Sequence, residues 1–202
     1  MNESLSILTT DDLWSQIVES HLTDRHLSLM NLNWWPSPPW EALTPYAKIA
    51  GNVVDRPEII RPLIEDRNWR TNLFGVAIAV LADAKPLLDS MIARLSESWV
   101  APQIAAGVAL LLPDPDHEGR DLHLSKLLEI AMAPSVNGEL KYVMSAYAAL
   151  RICSKSHVKG FEEDAGFGEK WRVGGAWYDL TKMHYERWRG VLPYLVRHAN
   201  AR

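Results

Sequence analysis

One cysteine, Cys153, stands in 202 residues, so no disulfide can form within the chain. Its surroundings, AALRICSK, are apolar on one side, where a thiol packs as a small hydrophobe. A lone cysteine suits a reducing compartment. Long apolar runs are missing as well. The stretch 76–82 is the longest, far short of the roughly 20 residues a membrane helix needs. The opening MNESLSILTTDDLW has no basic segment followed by an apolar one, so no secretory signal is expected and the protein is read as cytoplasmic. β-Branched residues nowhere alternate with polar ones over a long window, which argues against strands. The short signatures of chemistry are lacking too: no HExxH, no CxxC, no GxSxG elbow, no Walker loop and no dinucleotide fingerprint. Neither a metal nor a cofactor is expected, and no residue is given a catalytic role.

What the chain does have is ordinary globular composition, with 48% apolar and 23% charged residues. Its net charge of −4 is unevenly spread. Residues 1–66 carry 10 acids and 4 bases, whereas 170–202 carry 7 bases and 2 acids. Such a split can steer a charged partner. No dense Lys/Arg stripe marks a nucleic-acid footprint.

Helical spacing recurs throughout. Leu13, Ile17 and Val18 share a face near the start, after Thr10 or Asp11 as a cap. The prolines of NWWPSPPW forbid regular structure through most of 33–40. A helix is predicted over 40–54, with a possible fresh start at Thr44-Pro45, and a short one from Asp55 and Pro57 to about Glu65. The run NWRTNLFGVAIAVLA, 68–82, is apolar on most faces and so predicts a helix buried on several sides. Asp83 is read as the cap of the next helix, 85–96, whose Leu87, Leu88, Met91, Ile92 and Leu95 form one stripe. The pattern returns with Ser98 capping WVAPQIAAGVALLLP, then a helix over 122–132, and a third time from Asn137.

Trp69 and Trp99 lie 30 residues apart, and Gly75-Val76-Ala77 and Gly107-Val108-Ala109 lie 32 apart. Two helices and a turn per 30–40 residues is the unit of an α-solenoid, in which small residues let neighbours approach. The reading is a single all-α domain over 1–202 of stacked antiparallel helical hairpins, HEAT-like, with core repeats at 66–152. Residues 155–175 hold five glycines and are read as a long loop. Residues 176–202 are read as aromatic-rich capping helices, with Pro193 opening the last.

Candidate sites are few. Asp114, Asp116, Glu118 and Gly119 match positions 1, 3, 5 and 6 of an EF-hand loop, but Ser125 stands where the bidentate carboxylate belongs. His117 and His123 are six apart, and His21 and His26 five apart, so neither pair shares a helix face. His184 and Glu186 read as a surface pair, and Trp69 and Trp99 as structural. Trp34, Trp35 and Trp40 either clamp the N-terminal hairpin or anchor a partner.

The runs NWRTNLFGVAIAVL and ESWVAPQIAAGVALLLPDPD, within 66–118, resemble uncharacterised bacterial HEAT-like helical proteins with WR…GA…SWV-PQ-A segments. Such proteins are associated with immunity to polymorphic or type VI secreted toxins. The resemblance covers about a quarter of the chain and carries no fixed site residues. It implies a protein-binding module that occludes a cognate toxin without chemistry. An acidic surface would then meet a basic partner. Candidate contacts are Asp66, Glu97, Asp114, Asp116, Glu118, Glu162, Glu163, Asp164, Trp34 and Trp35. The alternative is a helical enzyme or small-ligand binder with a pocket between repeats, using Arg70, Gln103 and His184.

Overall fold

The structure, a computed structural model, describes residues 40–112, 115, 119–134, 139–163 and 166–199. The candidate contacts Trp34, Trp35, Asp114, Asp116, Glu118 and Asp164 and the expected first helix lie outside the described residues. Within them the chain is all-helical, with no strand. In order come α1 (Trp40–Val53), a 3-10 turn (Pro57–Ile60), α2 (Arg61–Glu65), α3 (Trp69–Leu81), a 3-10 turn (Lys85–Leu87), α4 (Leu88–Leu95) and α5 (Ala101–Leu111). Then follow α6 (Arg120–Met132), α7 (Leu140–Cys153), the single turn α8 (Lys159–Glu162) and the long α9 (Phe167–Ala199). No helix among the described residues is long and apolar enough to cross a membrane.

Consecutive helices pair as α2/α3, α4/α5 and α6/α7. The second helix of each pair packs on its counterpart in the next, so α1, α3, α5 and α7 form one row and α2, α4 and α6 another. The sequence explains the division. Helices of the first row must be covered on several sides, and α3 is buried at every position from Thr71 to Val80. The outer α6 buries only His123, Leu124, Leu127 and Ala131, one stripe at helical spacing. Glycine sets the closest approaches. A Cβ on Gly75 would lie 2.8 Å from the Ile64 backbone nitrogen, and one on Gly107 would lie 2.7 Å from Val76 Cγ1. The repeated glycine thus lets α3 meet α2 and α5 meet α3, as the close-approach reading requires.

Polar groups pin the layers. Asn72 is fully buried on α3. Its Nδ2 donates to the carbonyls of Ile64 (2.9 Å) and Asp66 (2.5 Å), with Leu63 at 3.4 Å, and its Oδ1 accepts from Ser98 Oγ (2.8 Å). One amide therefore satisfies the end of α2 and holds the turn before α5. Arg120 works at the other ends, donating to the carbonyls of Leu112 (3.1 Å) and Cys153 (2.8 Å). A cation at two helix C-termini also meets their dipoles favourably. In the outer row Asp89 joins α4 to α6 through Lys126 Nζ at 2.8 Å and His123 Nε2 at 3.1 Å.

Several expectations change. Residues 155–175 are not one long loop. α8 forms at 159–162, and helix resumes at Phe167 straight through Gly168, Gly174 and Gly175. Gly174 is buried because Met144 Cγ fills the space its Cβ would take, at 2.7 Å. Packing against α7 outweighs the glycines' low helix propensity. The capping helices are one helix: Pro193 lies inside α9. It is exposed, so the carbonyl left without a helical donor can turn to water. α1 runs through Thr44-Pro45 without restarting. Asp83 does not cap α4. It has φ +48° and closes α3, with Asp83 N bonding Val80 O (3.3 Å) and Ala84 N bonding Ala79 O (2.9 Å). This is the paired-bond helix end in which glycine is the usual left-handed residue.

Two outcomes test this. Asn72→Ala removes a buried amide with four partners and should lower unfolding free energy by about 2–4 kcal/mol in urea titration, leaving carbonyls unpaired. Asp83→Gly should raise it by roughly 0.5–1 kcal/mol, since the left-handed backbone then costs nothing.

Candidate functional site

α3 packs on α5 and α5 on α7, and contacts join the turns before them: Asn72 of α3 meets Ser98, and Lys141 of α7 meets Trp99. Each turn is polar for a local reason. Asn68 Oδ1 accepts from Arg70 N (3.0 Å) to cap α3, and Asp66 Oδ1 accepts from Asn68 N (3.1 Å). Thirty residues on, Ser98 Oγ accepts from Val100 N (3.3 Å), but the N-cap of α5 is Val100 without a side-chain cap, so Ser98 shapes the approach to the helix where a cap was expected. The tryptophan that follows Asn68 and Ser98 is then thrown outward. Trp69 stays half-buried against the core, with the Arg70 guanidinium 4.5 Å above its ring.

Trp99 differs: it is 81% exposed. The structural role expected of it is therefore corrected, since Val100 and Ala101 rather than the indole fill the core beneath. Lys141, in the first turn of α7, places Nζ 4.6 Å from the Trp99 ring centre and 4.9 Å from that of Tyr142. Lys141 is buried, and desolvation lowers its pKa. The two ring faces supply the negative potential that a carboxylate would ordinarily give. Of the expected contacts, Asp66 and Glu97 fall on this edge. Asn72 ties them, bonding the Asp66 carbonyl and the Ser98 hydroxyl next to Glu97. Glu97 itself accepts from Arg94 Nη1 at 2.7 Å.

Glu162 and Glu163 lie elsewhere. Glu163 is exposed, 4.0 Å from Lys159. Glu162 Oε1 accepts from Tyr147 Oη (2.5 Å) and Arg151 Nη1 (2.6 Å), and that same Nη1 lies 2.8 Å from Tyr147 Oη. Burial raises the Tyr147 phenol to about 12, so its proton stays in place. Around this trio Tyr147, Phe161, Phe167, Trp171 and Tyr178 form a continuous ring cluster, with centroids 4.7–6.4 Å apart. Arg151, Glu162, Phe167 and Trp171 line an open cleft of about 240 Å³. Sequence reading missed it, because three of its four residues fall in or beside the stretch taken for a loop.

The residues named for a pocket between repeats stand on three different helices: Arg70 on α3, Gln103 on α5 and His184 on α9. His184 is not a surface residue. It is 1% exposed, and neither ring nitrogen has a hydrogen-bond partner. Burial, helped by Arg187, depresses its pKa to about 4. Cys153 is likewise held as a thiol, raised by burial to about 12. Comparison with protein families, with characterised proteins and with solved structures finds no significant match to the chain.

The imidazole makes stability fall in acid. Its stabilising contribution is complete above the unfolded pKa of about 6.5 and is lost as the unfolded chain, but not the fold, takes up a proton. Unfolding free energy should drop by roughly 2 kcal/mol between pH 7.5 and pH 5 from this group alone. His184→Phe should remove that slope from denaturation curves recorded across the same pH range.

Proposed function

We propose that this chain is a non-catalytic protein-binding module, a HEAT-like stack whose helix-entry edge grips a partner, and that the partner is a cognate bacterial toxin which it occludes. The observation that carries the reading is Trp99. A large indole 81% exposed, clamped by Lys141 on a well-packed scaffold, has the makings of an interface anchor. Tryptophan is enriched at binding hot spots, where its rigid side chain buries much area at little entropic cost. The half-buried Trp69, its stacked Arg70, and the carboxylates of Asp66 and Glu97 extend that surface with aromatic and acidic groups suited to a basic partner. The regular pairing of α2/α3, α4/α5 and α6/α7 supports the stacked-repeat reading. The immunity role rests on the resemblance of 66–118.

Co-expression with the product of the adjacent gene is expected to relieve that product's toxicity and yield a complex that survives purification. Trp99→Ala should weaken the complex by about 2 kcal/mol, roughly thirtyfold in Kd, while lowering unfolding free energy by about 1 kcal/mol through the lost contact with Lys141, which leaves the protein folded. A non-toxic neighbour, or a Trp99→Ala protein that binds as tightly as the parent, would overturn the reading.

A further inference from the structure

The cleft at the far end of α7 is a separate feature. Lys141 and Arg151 are ten residues apart on one helix, about 15 Å along its axis, so the cleft does not belong to the Trp99 edge. We infer that it binds a free α-amino acid with a flat aromatic side chain. Arg151 and Glu162 are paired but not used up. The guanidinium commits only Nη1, to Tyr147 and Glu162, so Nε and Nη2 have no partner among the described residues. Glu162 commits only Oε1, which leaves Oε2. Both side chains reach water, at 45% and 36% exposure.

A ligand with a single charge fits this pair poorly. An anion drawn to Arg151 is repelled by Glu162, and a cation drawn to Glu162 is repelled by Arg151. A ligand carrying a carboxylate and an ammonium on adjacent atoms matches both at once. The carboxylate takes the planar donors that Arg151 has left, and the ammonium takes Glu162 Oε2. The rest of the lining, Phe167 and Trp171, is aromatic, with rings 5.9 Å apart and Trp171 39% exposed. That wall suits a ring in stacked or edge contact. The volume of about 240 Å³ is below the usual range for larger ligands and agrees with one residue-sized molecule. The buried Tyr147 hydroxyl fixes the charged pair from behind, so little order has to be gained on binding.

The test is an NMR titration, followed on the Trp171 indole N–H, with four probes. L-Phenylalanine has all the features; N-acetylphenylalanine lacks the ammonium, phenylalaninamide the carboxylate, and alanine the ring. Phenylalanine should bind, and each of the others should bind at least about tenfold more weakly. Glu162→Gln should weaken phenylalanine and narrow or reverse its advantage over N-acetylphenylalanine, an exchange of preference that misfolding does not produce. Trp171→Ala, titrated by isothermal calorimetry because the indole reporter is gone, should lower phenylalanine affinity with helical content unchanged by circular dichroism. Absence of any shift at Trp171 with phenylalanine, equal affinity for all four probes, or full phenylalanine affinity in Trp171→Ala would each overturn the assignment. Complex formation at Trp99 is measured separately, so either idea can fail alone.

Discussion

The buried amide of Asn72 is the constraint on which the described fold turns. An unpaired amide in an apolar interior is expensive, so both ends of this side chain have to be satisfied. They are satisfied by three consecutive stretches of chain: the carbonyls that end α2, α3 itself, and the Ser98 hydroxyl that begins the approach to α5. Apolar packing alone is tolerant of sliding, whereas a hydrogen bond is not. Asn72 therefore sets how far α5 can shift along α3. With that register fixed, Gly107 faces Val76, and Trp69 and Trp99 project from the same edge. The exposure of Trp99 follows from the position of Asn72 more than from anything in its own surroundings.

α9 is a different kind of helix. It packs along α7, α5 and α1, crossing the row that the hairpins assemble. Its buried positions include Gly174, Thr181, His184 and Trp188, and the partly buried Phe167, Tyr178, Tyr185, Val191 and Leu192 pack against the core beside them. Burial of Thr181 is tolerable because its hydroxyl donates back to the Trp177 carbonyl at 2.9 Å. Burial of His184 is tolerable only because the ring is neutral. The cover is thus attached by apolar and aromatic packing, around a threonine satisfied within its own helix and a histidine that stays neutral. By occupying the face of α5 and α7, it leaves the edges and ends of the stack as the surfaces open to other molecules.

The all-helical character and the packed helices of the middle of the chain were legible in the sequence because their signals are local and redundant. A helix such as 69–81, apolar on most faces, has no other place than an interior, and the repeated glycines mark where interiors meet. The C-terminal third was not legible, because its order comes from distant residues. Nothing within 155–175 announces a helix; Met144, on another element, makes Gly174 a packing residue. Pro193 and Asp83 misled for a related reason. Each residue type has a dominant local meaning, helix breaker or N-cap, and each here serves a less common one set by exposure or backbone hand. Of the candidate contacts, Asp66 and Glu97 share an edge since both precede row helices, a consequence of the repeat. Glu162 reaches a cleft instead, and its charge alone did not disclose Arg151 and Tyr147 as neighbours.

α7 carries both functional readings, and the physics at its two ends is opposite. A cation near a helix C-terminus is favoured by the dipole, and Arg151 in the last turn of α7 is placed so. Lys141 in the first turn is placed against the dipole, and burial adds to the penalty. Among the described residues no carboxylate is paired with it; the rings of Trp99 and Tyr142 hold the amine. An exposed Trp99 free to swing would leave Lys141 with only Tyr142 opposite a desolvated charge. The lysine therefore restrains the indole as much as the indole shelters the lysine, and the anchor is ordered before any partner arrives. That prior ordering is what lets one exposed side chain contribute affinity in place of spending it on becoming fixed.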